Sequence, residues 1–209
     1  MGYTDKSIIR WSGISQENHG KDCRDGLMNF ETYSDQGFFK KWLRRIFFIN
    51  PIVRQFNGYV LDIGCGPGMY LEQYSGPVLG IDAHPNNIRI CRNKGIEAIE
   101  ADANRFIREN TFDTVLVSHI LEHLDDPECV IQNACRSVKP GGRIILIVPG
   151  WEGFQSGLNE EVGHKKFITE DFIDTNMKKN NSRKIKSTWF PPILGGKYKE
   201  LRVLYEKIR

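Results

Sequence analysis

A glycine-rich segment, Asp62–Gly68, is the part of the sequence best suited to hold a ligand. Its glycines, Gly64, Gly66 and Gly68, follow a short apolar run at Val60–Ile63. Glycines at such a turn allow backbone angles that other residues avoid, and they let a ligand approach the main chain closely. The first amides of a following helix would add free hydrogen-bond donors. The sequence therefore predicts a ligand-binding turn at the end of a strand.

Two acidic residues follow the next two predicted strands in corresponding places. Asp82 ends the apolar run that begins at Val78, and Asp102 follows a run that begins at Ile96. A carboxylate in the first place can accept both ribose hydroxyls of a nucleoside, and one in the second can meet the exocyclic amine of adenine. Ligands of open α/β sheets bind at the carboxyl ends of the strands. With Asp62, these acids predict a site for a cofactor that contains a nucleoside.

The elements that position these residues alternate regularly. Predicted strands cover residues 60–63, 78–82, 96–101, 112–118 and 143–149, and predicted helices cover 69–74, 85–94 and 127–139. This alternation is typical of a parallel sheet with helices on both faces. After a helix capped by Thr169, runs at 184–190 and 200–207 predict a terminal antiparallel pair. The predicted fold is an α/β, three-layer, Rossmann-like doubly wound sheet of about seven strands, mostly parallel with a terminal antiparallel strand.

Length favours one domain with an extension. The chain has 209 residues, against a prior of about 150 residues per domain. Residues 58–209 are predicted to form the domain, and residues 1–57 to form an N-terminal lid or helical extension. The stretch from Phe38 to Phe48 is basic and apolar at helical spacing, which predicts a helix packed on the domain, although a helix on a membrane surface would look similar. The first 30 residues are interpreted as mobile or loosely docked.

Cysteine usage favours a cytoplasmic protein. The five cysteines, Cys23, Cys65, Cys91, Cys129 and Cys135, are odd in number and form no C-x-x-C pair. That pattern favours reduced thiols over a disulfide framework or a structural zinc site. The beginning of the sequence also lacks the charged and then apolar layout of a signal peptide, and no apolar run approaches the roughly 20 residues of a membrane span.

Charge is uneven along the chain. Residues 161–209 carry 12 Lys and Arg against 6 Asp and Glu, so this stretch is +6 and the remainder is −3. A basic face of this kind can attract an acidic substrate or an anionic membrane surface, although composition alone favours an ordinary solvated lysine face. The overall charge of +3 is too small to predict nucleic-acid binding.

The spacing of the glycines separates two kinds of cofactor site. A nicotinamide dehydrogenase has G-x-G-x-x-G, whereas this chain has G-x-G-x-G. With its further motifs, the sequence resembles the class I S-adenosylmethionine-dependent methyltransferases. The segments that carry the resemblance are Val60–Gly68, Gly80–Asp82, Ala101–Ala103, Phe112–Val115, His119–Leu124 and Val138–Gly142.

The resemblance implies S-adenosylmethionine as cofactor and S-adenosylhomocysteine as product. It also implies a set of cofactor-binding residues around the methionine part, the ribose, the adenine and the sulfonium. They are Asp62, Gly64, Cys65, Gly66, Gly68, Asp82, Ala83, Asp102, Ala103, Ser118 and His119. Tyr33 is interpreted as part of the N-terminal cover.

Two histidines are candidate general bases. A hydroxyl acceptor would gain from a base that titrates near neutrality, as histidine does. His119 is placed at the end of the fourth predicted strand and His164 in the loop after the fifth, and a purely structural role for His119 stays open. His123, four residues after His119, would suggest a metal pair on a helix. The resemblance explains this segment without a metal, so no metal site is predicted.

The predicted function is methyl transfer to a small or medium-sized acceptor. O-methylation of a small molecule, a sugar or a lipid-linked intermediate is favoured, with an acidic or phosphate-bearing acceptor preferred because of the basic C-terminal stretch. Two alternatives stay open: a non-catalytic S-adenosylmethionine-binding partner subunit, and methylation of a protein nitrogen. Nucleic acid is not favoured as a partner, while a peripheral membrane contact stays open.

Overall fold

A computed structural model describes residues 8–10, 42–158, 163–190 and 200–208. Tyr33, Cys23 and residues 38–41 of the predicted helix lie outside these ranges. The strands of the described part are β1 (Ile8–Arg10), β2 (Val60–Ile63), β3 (Val78–Asp82), β4 (Ala98–Glu100), β5 (Phe112–Ser118), β6 (Val138–Pro149), β7 (Lys166–Ile168), β8 (Ser182–Phe190) and β9 (Glu200–Lys207).

The central sheet contains seven of the described strands, in the order β4-β3-β2-β5-β6-β9-β8. The pairs from β4 to β6 are parallel, and β9 runs antiparallel between β6 and β8. The chain adds β3 and β4 on one side of β2 and then returns to add β5 on the other. This reversal places the carboxyl ends of β2 and β5 beside each other, where open α/β sheets bind ligands. The predicted fold class is confirmed.

Helices cover both faces of this sheet. They are α1 (Asn50–Val53), α2 (Pro85–Asn93), α3 (Pro127–Ser137), α4 (Trp151–Ser156) and α5 (Glu170–Lys179), with a π-helical turn at Arg45–Ile49 before α1 and 3₁₀ turns at Leu71–Gln73 and Leu121–His123. The described part of the predicted N-terminal helix is thus helical. No helix of the described ranges has both the length and the apolar character that crossing a bilayer requires.

Alternate strand residues point to opposite faces, so the molecule has two cores. Leu61 and Val115 lie in the core that α3 and α5 cover. Val60 and Leu116 lie in the core that α1 and α2 cover. All four side chains are fully buried. The continuous apolar character of these strands follows from burial on both faces.

Side-chain caps confirm two of the predicted helix starts. The Asp126 carboxylate accepts a hydrogen bond from the amide of Cys129 at 3.0 Å, with Pro127 at the first helical position. The Thr169 hydroxyl accepts one from the amide of Phe172 at 3.2 Å. Each cap satisfies an amide that the helix leaves free.

Several predicted elements differ from the structure. Residues 69–74 form turns and a single 3₁₀ turn, because only a few residues separate Gly68 from the Gly76–Pro77 break. The loop predicted after the fifth strand, which contains His164, includes α4 and leads into β7. Part of the N-terminal region is docked rather than loose, since β1 pairs antiparallel with β7. Two short edge strands here satisfy each other's backbone groups, which a local pattern does not reveal.

Candidate functional site

The glycine loop leaves the carboxyl end of β2 in a left-handed backbone conformation. Gly64, Gly66 and Gly68 have φ of 74°, 51° and 78°. A Cβ at Gly64 would lie 2.6 Å from Ile120 Cδ1, and one at Gly68 would lie 2.7 Å from Ile96 Cδ1, whereas one at Gly66 would meet no described atom within 4 Å. A Cβ at either outer glycine would therefore force a neighbouring isoleucine side chain to move, whereas Gly66 borders open space that a ligand can fill.

Asp62 lies beneath this loop as a buried, unpartnered carboxylate. Its side chain is 1% exposed, and neither oxygen has a hydrogen-bond partner among the described residues. Burial, followed by the nearby Cys91 and Asp82, raises the pKa of Asp62 well above its usual range. A buried carboxylate without a partner is costly. A cationic group such as the ammonium of an amino acid would satisfy it.

Asp82 connects the second strand to the glycine loop. Its Oδ2 accepts a hydrogen bond from the Gly66 amide at 2.9 Å. Its Oδ1 accepts bonds from the His84 amide at 2.8 Å and from Asn87 Nδ2 at 3.1 Å. Since each carboxylate oxygen can accept two bonds, Oδ2 retains capacity for a ligand hydroxyl. The position is the one expected for ribose binding.

Asp102 and its neighbours form the edge of the site. Asp102 is exposed, and its Oδ1 accepts bonds from the Asn104 amide at 2.9 Å and from Asn104 Nδ2 at 3.2 Å. These contacts stabilise the turn that follows β4. Ala103 is buried in the core and Ala83 is exposed beside Asp82. The local bonds of Asp102 give it a structural role, and its predicted contact with adenine stays a prediction.

Cys65 faces the core rather than the open space. Its Sγ donates to the Gly66 carbonyl at 3.4 Å, and a Cβ on Gly80 would lie 2.7 Å from that sulfur. A hydrogen bond with Cys91 and burial raise the pKa of the Cys65 thiol above its usual range. The Cys65 amide already donates to the Ile81 carbonyl. The predicted cofactor contact of Cys65 would thus involve its carbonyl or Cα.

The carboxyl end of β5 carries Ser118 and His119 next to the glycine loop. The Ser118 hydroxyl donates to the Tyr70 hydroxyl at 3.4 Å, and both side chains are buried. Burial and the nearby Glu200 raise the pKa of Tyr70 to about 12. His119 has a φ of 51°. This strained turn directs the chain away from β5 and positions the imidazole at the sheet edge.

The His119 imidazole lies between two carboxylates. Its Nε2 is 3.0 Å from Glu200 Oε2, and its Nδ1 is 3.4 Å from Glu122 Oε1. Burial favours neutral His119, but the bonds with Glu122 and Glu200 outweigh it and raise the pKa to about 10. An imidazolium has no lone pair to accept a proton. This pairing argues against the predicted role of His119 as a general base at neutral pH.

Arg202 completes the group around His119. Its guanidinium donates from Nε to Glu200 Oε1 at 2.6 Å, and it lies over the Phe190 ring at 3.9 Å from the centroid. Although burial opposes ionisation, the bond with His119 and the charge of Arg202 lower the pKa of Glu200. The positive charges of His119 and Arg202 thus balance the negative charges of Glu122 and Glu200, where the end of β5 meets the start of β9.

His164 lies in the loop before β7, on the same side as His119. Its Nδ1 is 2.9 Å from the Phe154 carbonyl, and its ring stacks on the Phe154 ring at 5.6 Å and 10°. A carbonyl only accepts, so Nδ1 carries the proton and Nε2 keeps its lone pair. His164 therefore fits proton acceptance or ligation better than His119 does.

Sequence reasoning missed three functional candidates at this edge: Tyr70, Glu122 and Glu200. Glu122 belongs to the quoted His119–Leu124 segment, so an acid beside two histidines was the available signal. Glu200 lies 81 residues from His119 in sequence. Only the insertion of β9 beside β6 brings it close, and no local pattern carries that information.

A separate cavity of about 270 Å³ lies at the opposite edge of the sheet. Its lining includes Asn57, Asp113 and Lys139, and Asp113 pairs with Lys139 at 2.8 Å. These residues surround the amino ends of the parallel strands. Because ligands of open α/β sheets bind at the carboxyl ends, we place the functional site at the glycine loop.

Comparison with known proteins agrees with this geometry. Residues 61–146 match the family model described as a methyltransferase domain. The ubiquinone biosynthesis O-methyltransferase of Aliivibrio fischeri is 31% identical over 113 residues, covering 47% of this chain and 48% of that protein. That of Hydrogenovibrio crunogenus is 33% identical over 117 residues, with 47% and 48% covered. The chain spans about half the length of these curated relatives.

Solved structures share the fold at low sequence identity. A SAM-dependent methyltransferase of Archaeoglobus fulgidus superposes with a TM-score of 0.67 at 20% identity, covering 85% of this chain and 97% of that one. A possible histamine N-methyltransferase of Thermotoga maritima gives 0.68 at 17% identity, with 90% and 100% covered. At these identities the likeness establishes the fold alone.

Proposed function

Because residues 61–146 form a class I S-adenosylmethionine-dependent methyltransferase domain, we propose that this chain transfers a methyl group from that cofactor to an oxygen atom of a small molecule. S-adenosylmethionine is the cofactor of the family, as the sequence predicted. The observation that carries the proposal is the buried carboxylate of Asp62, which has no hydrogen-bond partner among the described residues and lies near the open space at Gly66.

The residues present fit this cofactor. Asp62 supplies a negative charge where the cofactor has an ammonium, and Asp82 supplies acceptor capacity where it has ribose hydroxyls. Gly66 lacks a side chain that would fill the same space. The loop is held against β3 by the Gly64 and Cys65 amides, which donate to the Ile81 carbonyl at 2.8 and 2.9 Å. The loop is thus shaped before a ligand binds.

The bound cofactor supplies a sulfonium methyl that is already electrophilic, so the protein's task is orientation. Holding an acceptor in line can contribute about 7–11 kcal/mol. Ser118 and His119 lie at the end of β5 next to the loop, and their side chains are fixed by Tyr70 and Glu200. In this proposal the charged His119 helps to position the acceptor. His164 Nε2 has the lone pair that can accept the acceptor's proton.

Oxygen as the methylated atom rests on the relatives. The matching proteins of Aliivibrio fischeri and Hydrogenovibrio crunogenus are O-methyltransferases of ubiquinone biosynthesis. An acidic or phosphate-bearing acceptor has weaker support, because several basic residues of the C-terminal stretch are already paired with acids. Lys165 pairs with Asp125, and Lys184 with Glu170. The remaining lysines carry that part of the proposal.

Transfer from methyl-labelled S-adenosylmethionine into a small-molecule extract tests the function. We expect label in a metabolite whose mass rises by one methylene, identified by mass spectrometry, and less label with Asp82→Ala when the cofactor is below saturation. Cofactor binding without transfer to any small molecule would favour the non-catalytic partner subunit. Label confined to added protein would favour methylation of a protein nitrogen.

A further inference from the structure

Two cysteine thiols, which the proposed reaction does not use, meet at the glycine loop. Cys65 belongs to the loop, and Cys91 belongs to α2. The Cys65 thiol donates to the Gly66 carbonyl at 3.4 Å, and the Cys91 thiol donates to the same oxygen at 3.3 Å. Both side chains are buried, and both are free thiols. Two reduced sulfurs from different elements therefore converge on one atom of the loop.

The two thiols differ in their readiness to ionise. They hydrogen-bond to each other, and this bond raises the pKa of Cys65 above its usual range and lowers the pKa of Cys91. Burial opposes ionisation of Cys91, while the charge of Lys94 favours it. The thiolate is the nucleophilic form of cysteine. Cys91 is thus the sulfur that reacts first with an oxidant, and Cys65 is the resolving thiol beside it.

The thiols support the loop residue that borders the proposed cofactor site. The Gly66 amide donates to Asp82 Oδ2 at 2.9 Å, while the Gly66 carbonyl accepts from both thiols. These bonds fix both sides of the peptide at the position where a Cβ would enter open space. A chemical change at the sulfurs therefore alters the part of the loop that the cofactor would contact.

There is little free space around either sulfur. A Cβ at Gly68 would lie 3.0 Å from Cys91 Sγ, and one at Gly80 would lie 2.7 Å from Cys65 Sγ. The loop and β3 therefore pack directly against the thiols. Movement of one sulfur toward the other changes these contacts.

We propose that Cys65 and Cys91 form an oxidative modification site, at which a hydroperoxide produces a disulfide bond that weakens cofactor binding. The effect on binding rests on the proposed function, whereas formation of the bond does not. Cofactor binding and oxidation would then oppose each other at the same loop.

Oxidation takes place in two steps and consumes one molecule of hydrogen peroxide. The Cys91 thiolate attacks a peroxide oxygen, the O–O bond breaks, and the released hydroxide takes up the proton that Cys91 has lost. This step gives water and a sulfenic acid. The Cys65 sulfur then attacks the Cys91 sulfur, the S–O bond breaks, and hydroxide leaves with the Cys65 proton as a second water. The cysteines together lose two electrons, which the peroxide gains.

The disulfide bond removes both thiol donors from the Gly66 carbonyl, because its sulfurs carry no proton. Bonded sulfurs lie about 2.05 Å apart, so the two side chains must also move together. We expect the loop to lose the shape that suits the cofactor. Since coupling between two sites is reciprocal, a ligand that binds the reduced loop better should also protect the thiols from oxidation.

Peptide mapping of the full chain after treatment with hydrogen peroxide tests the bond itself. We expect a disulfide between Cys65 and Cys91 that dithiothreitol reverses, and slower formation when S-adenosylhomocysteine is bound. A wild-type chain in which peroxide never links these two cysteines would overturn the proposal. This measurement needs no variant, so a failure of a variant to fold does not affect it.

Calorimetry with S-adenosylhomocysteine before and after oxidation tests the effect on binding. We expect the wild type to lose affinity by about 5–150-fold, the usual range of coupling between two sites. Cys91→Ser cannot form the bond, so its affinity should not change on oxidation. Cys135→Ser removes another buried thiol and should respond like the wild type. Circular dichroism verifies folding of both variants.

The outcomes separate this site from the proposed function. A disulfide bond that leaves the affinity unchanged, or an equal loss of affinity in the wild type and in folded Cys91→Ser, would contradict a modification site that controls binding. A reduced wild type that binds no S-adenosylhomocysteine would contradict the proposed function instead. In that case peptide mapping still decides whether Cys65 and Cys91 become linked.

Discussion

Asp62 is the residue whose chemistry says most about the ligand. Its carboxylate is buried, lacks a hydrogen-bond partner among the described residues and has a pKa well above the usual range, chiefly because of burial. Such a group destabilises the free protein and becomes favourable only when a cation reaches it. Placed beneath a glycine loop, it indicates selection for binding rather than for stability.

Asp62→Asn should therefore stabilise the free protein at neutral pH, by about 1–3 kcal/mol. At low pH the carboxyl is protonated in both folded and unfolded chains. As the pH rises above the ordinary value of 3.8, the unfolded chain releases this proton first, so the wild type loses stability relative to the variant. Urea unfolding at about pH 4.5 and about pH 7.5 measures the difference, which should grow with pH. A variant that is equally destabilised at both values would contradict this account of Asp62.

At the scale of residues, the sequence predicted the strand-end positions of the acids better than the surroundings of the histidines. Asp62 lies near the end of the run Val60–Ile63 and Asp82 ends the run that begins at Val78, so their positions near strand ends can be derived locally. The charge state of His119 depends on Glu200, which β9 delivers from far along the chain. A pairing of His119 with His123 was considered, whereas the structure brings His123 to His164 through the loop before β7.

At the scale of elements, the glycines of the loop have two different roles, one in packing and one in ligand binding. A Cβ on Gly64 or Gly68 would collide with a core side chain, while one on Gly66 would enter open space. Substitution of Gly64 or Gly68 would thus change the stability of the fold and the ligand affinity together. Gly66 is the position at which the two can be measured apart.

Gly66→Ala and Gly95→Ala form a matched pair for this measurement. Both glycines have positive φ, 51° and 76°, and open space around the added Cβ in the described structure. A left-handed conformation costs a residue with a Cβ about 1–2 kcal/mol, so similar losses of unfolding free energy are expected. Only Gly66→Ala should weaken S-adenosylhomocysteine binding, by about tenfold or more, which is about 1.4 kcal/mol. Equal affinity of both variants for S-adenosylhomocysteine would show that Gly66 does not contact the ligand.

The ends of helices could be predicted where capping residues, proline or glycine determine them. Asp126 with Pro127, Thr169 and Gly95 mark helix ends by their own chemistry. The pairing of β1 with β7 and the helix at Trp151–Ser156 were not predicted. Both depend on contacts between distant segments, which local propensity does not encode.

At the scale of the whole molecule, the reversal of strand order creates the site. The carboxyl ends of β2 and β5 become neighbours, and the loop after β6 lies next to them. The strand order followed only partly from the sequence, because the alternation predicts parallel strands but does not fix the insertion of β9 between β6 and β8. The excess of basic residues in 161–209 could be counted in the sequence. Which of them form ion pairs with acids could be seen only in the folded structure.

The N-terminal residues are proposed to form a cover over this edge, with the domain beginning near residue 58. The pairing of β1 with β7 supports this, since β7 begins two residues after His164. Limited proteolysis with and without S-adenosylhomocysteine tests it. Cleavage within residues 1–35 should slow when the ligand is bound, because closing a lid excludes solvent. Equal cleavage rates in both conditions would argue against a cover.

The central claim is that the edge formed by Asp62, Gly66 and Asp82 binds S-adenosylmethionine. Calorimetric titration with S-adenosylhomocysteine measures this most directly, with Asp82→Ala as the test variant and Asp171→Ala, an exposed acid in the first turn of α5, as the control. We predict one site per chain, weakened by about 1–3 kcal/mol in Asp82→Ala and unchanged in the control. No binding by the wild type, or equal binding by a folded Asp82→Ala protein, would contradict the account.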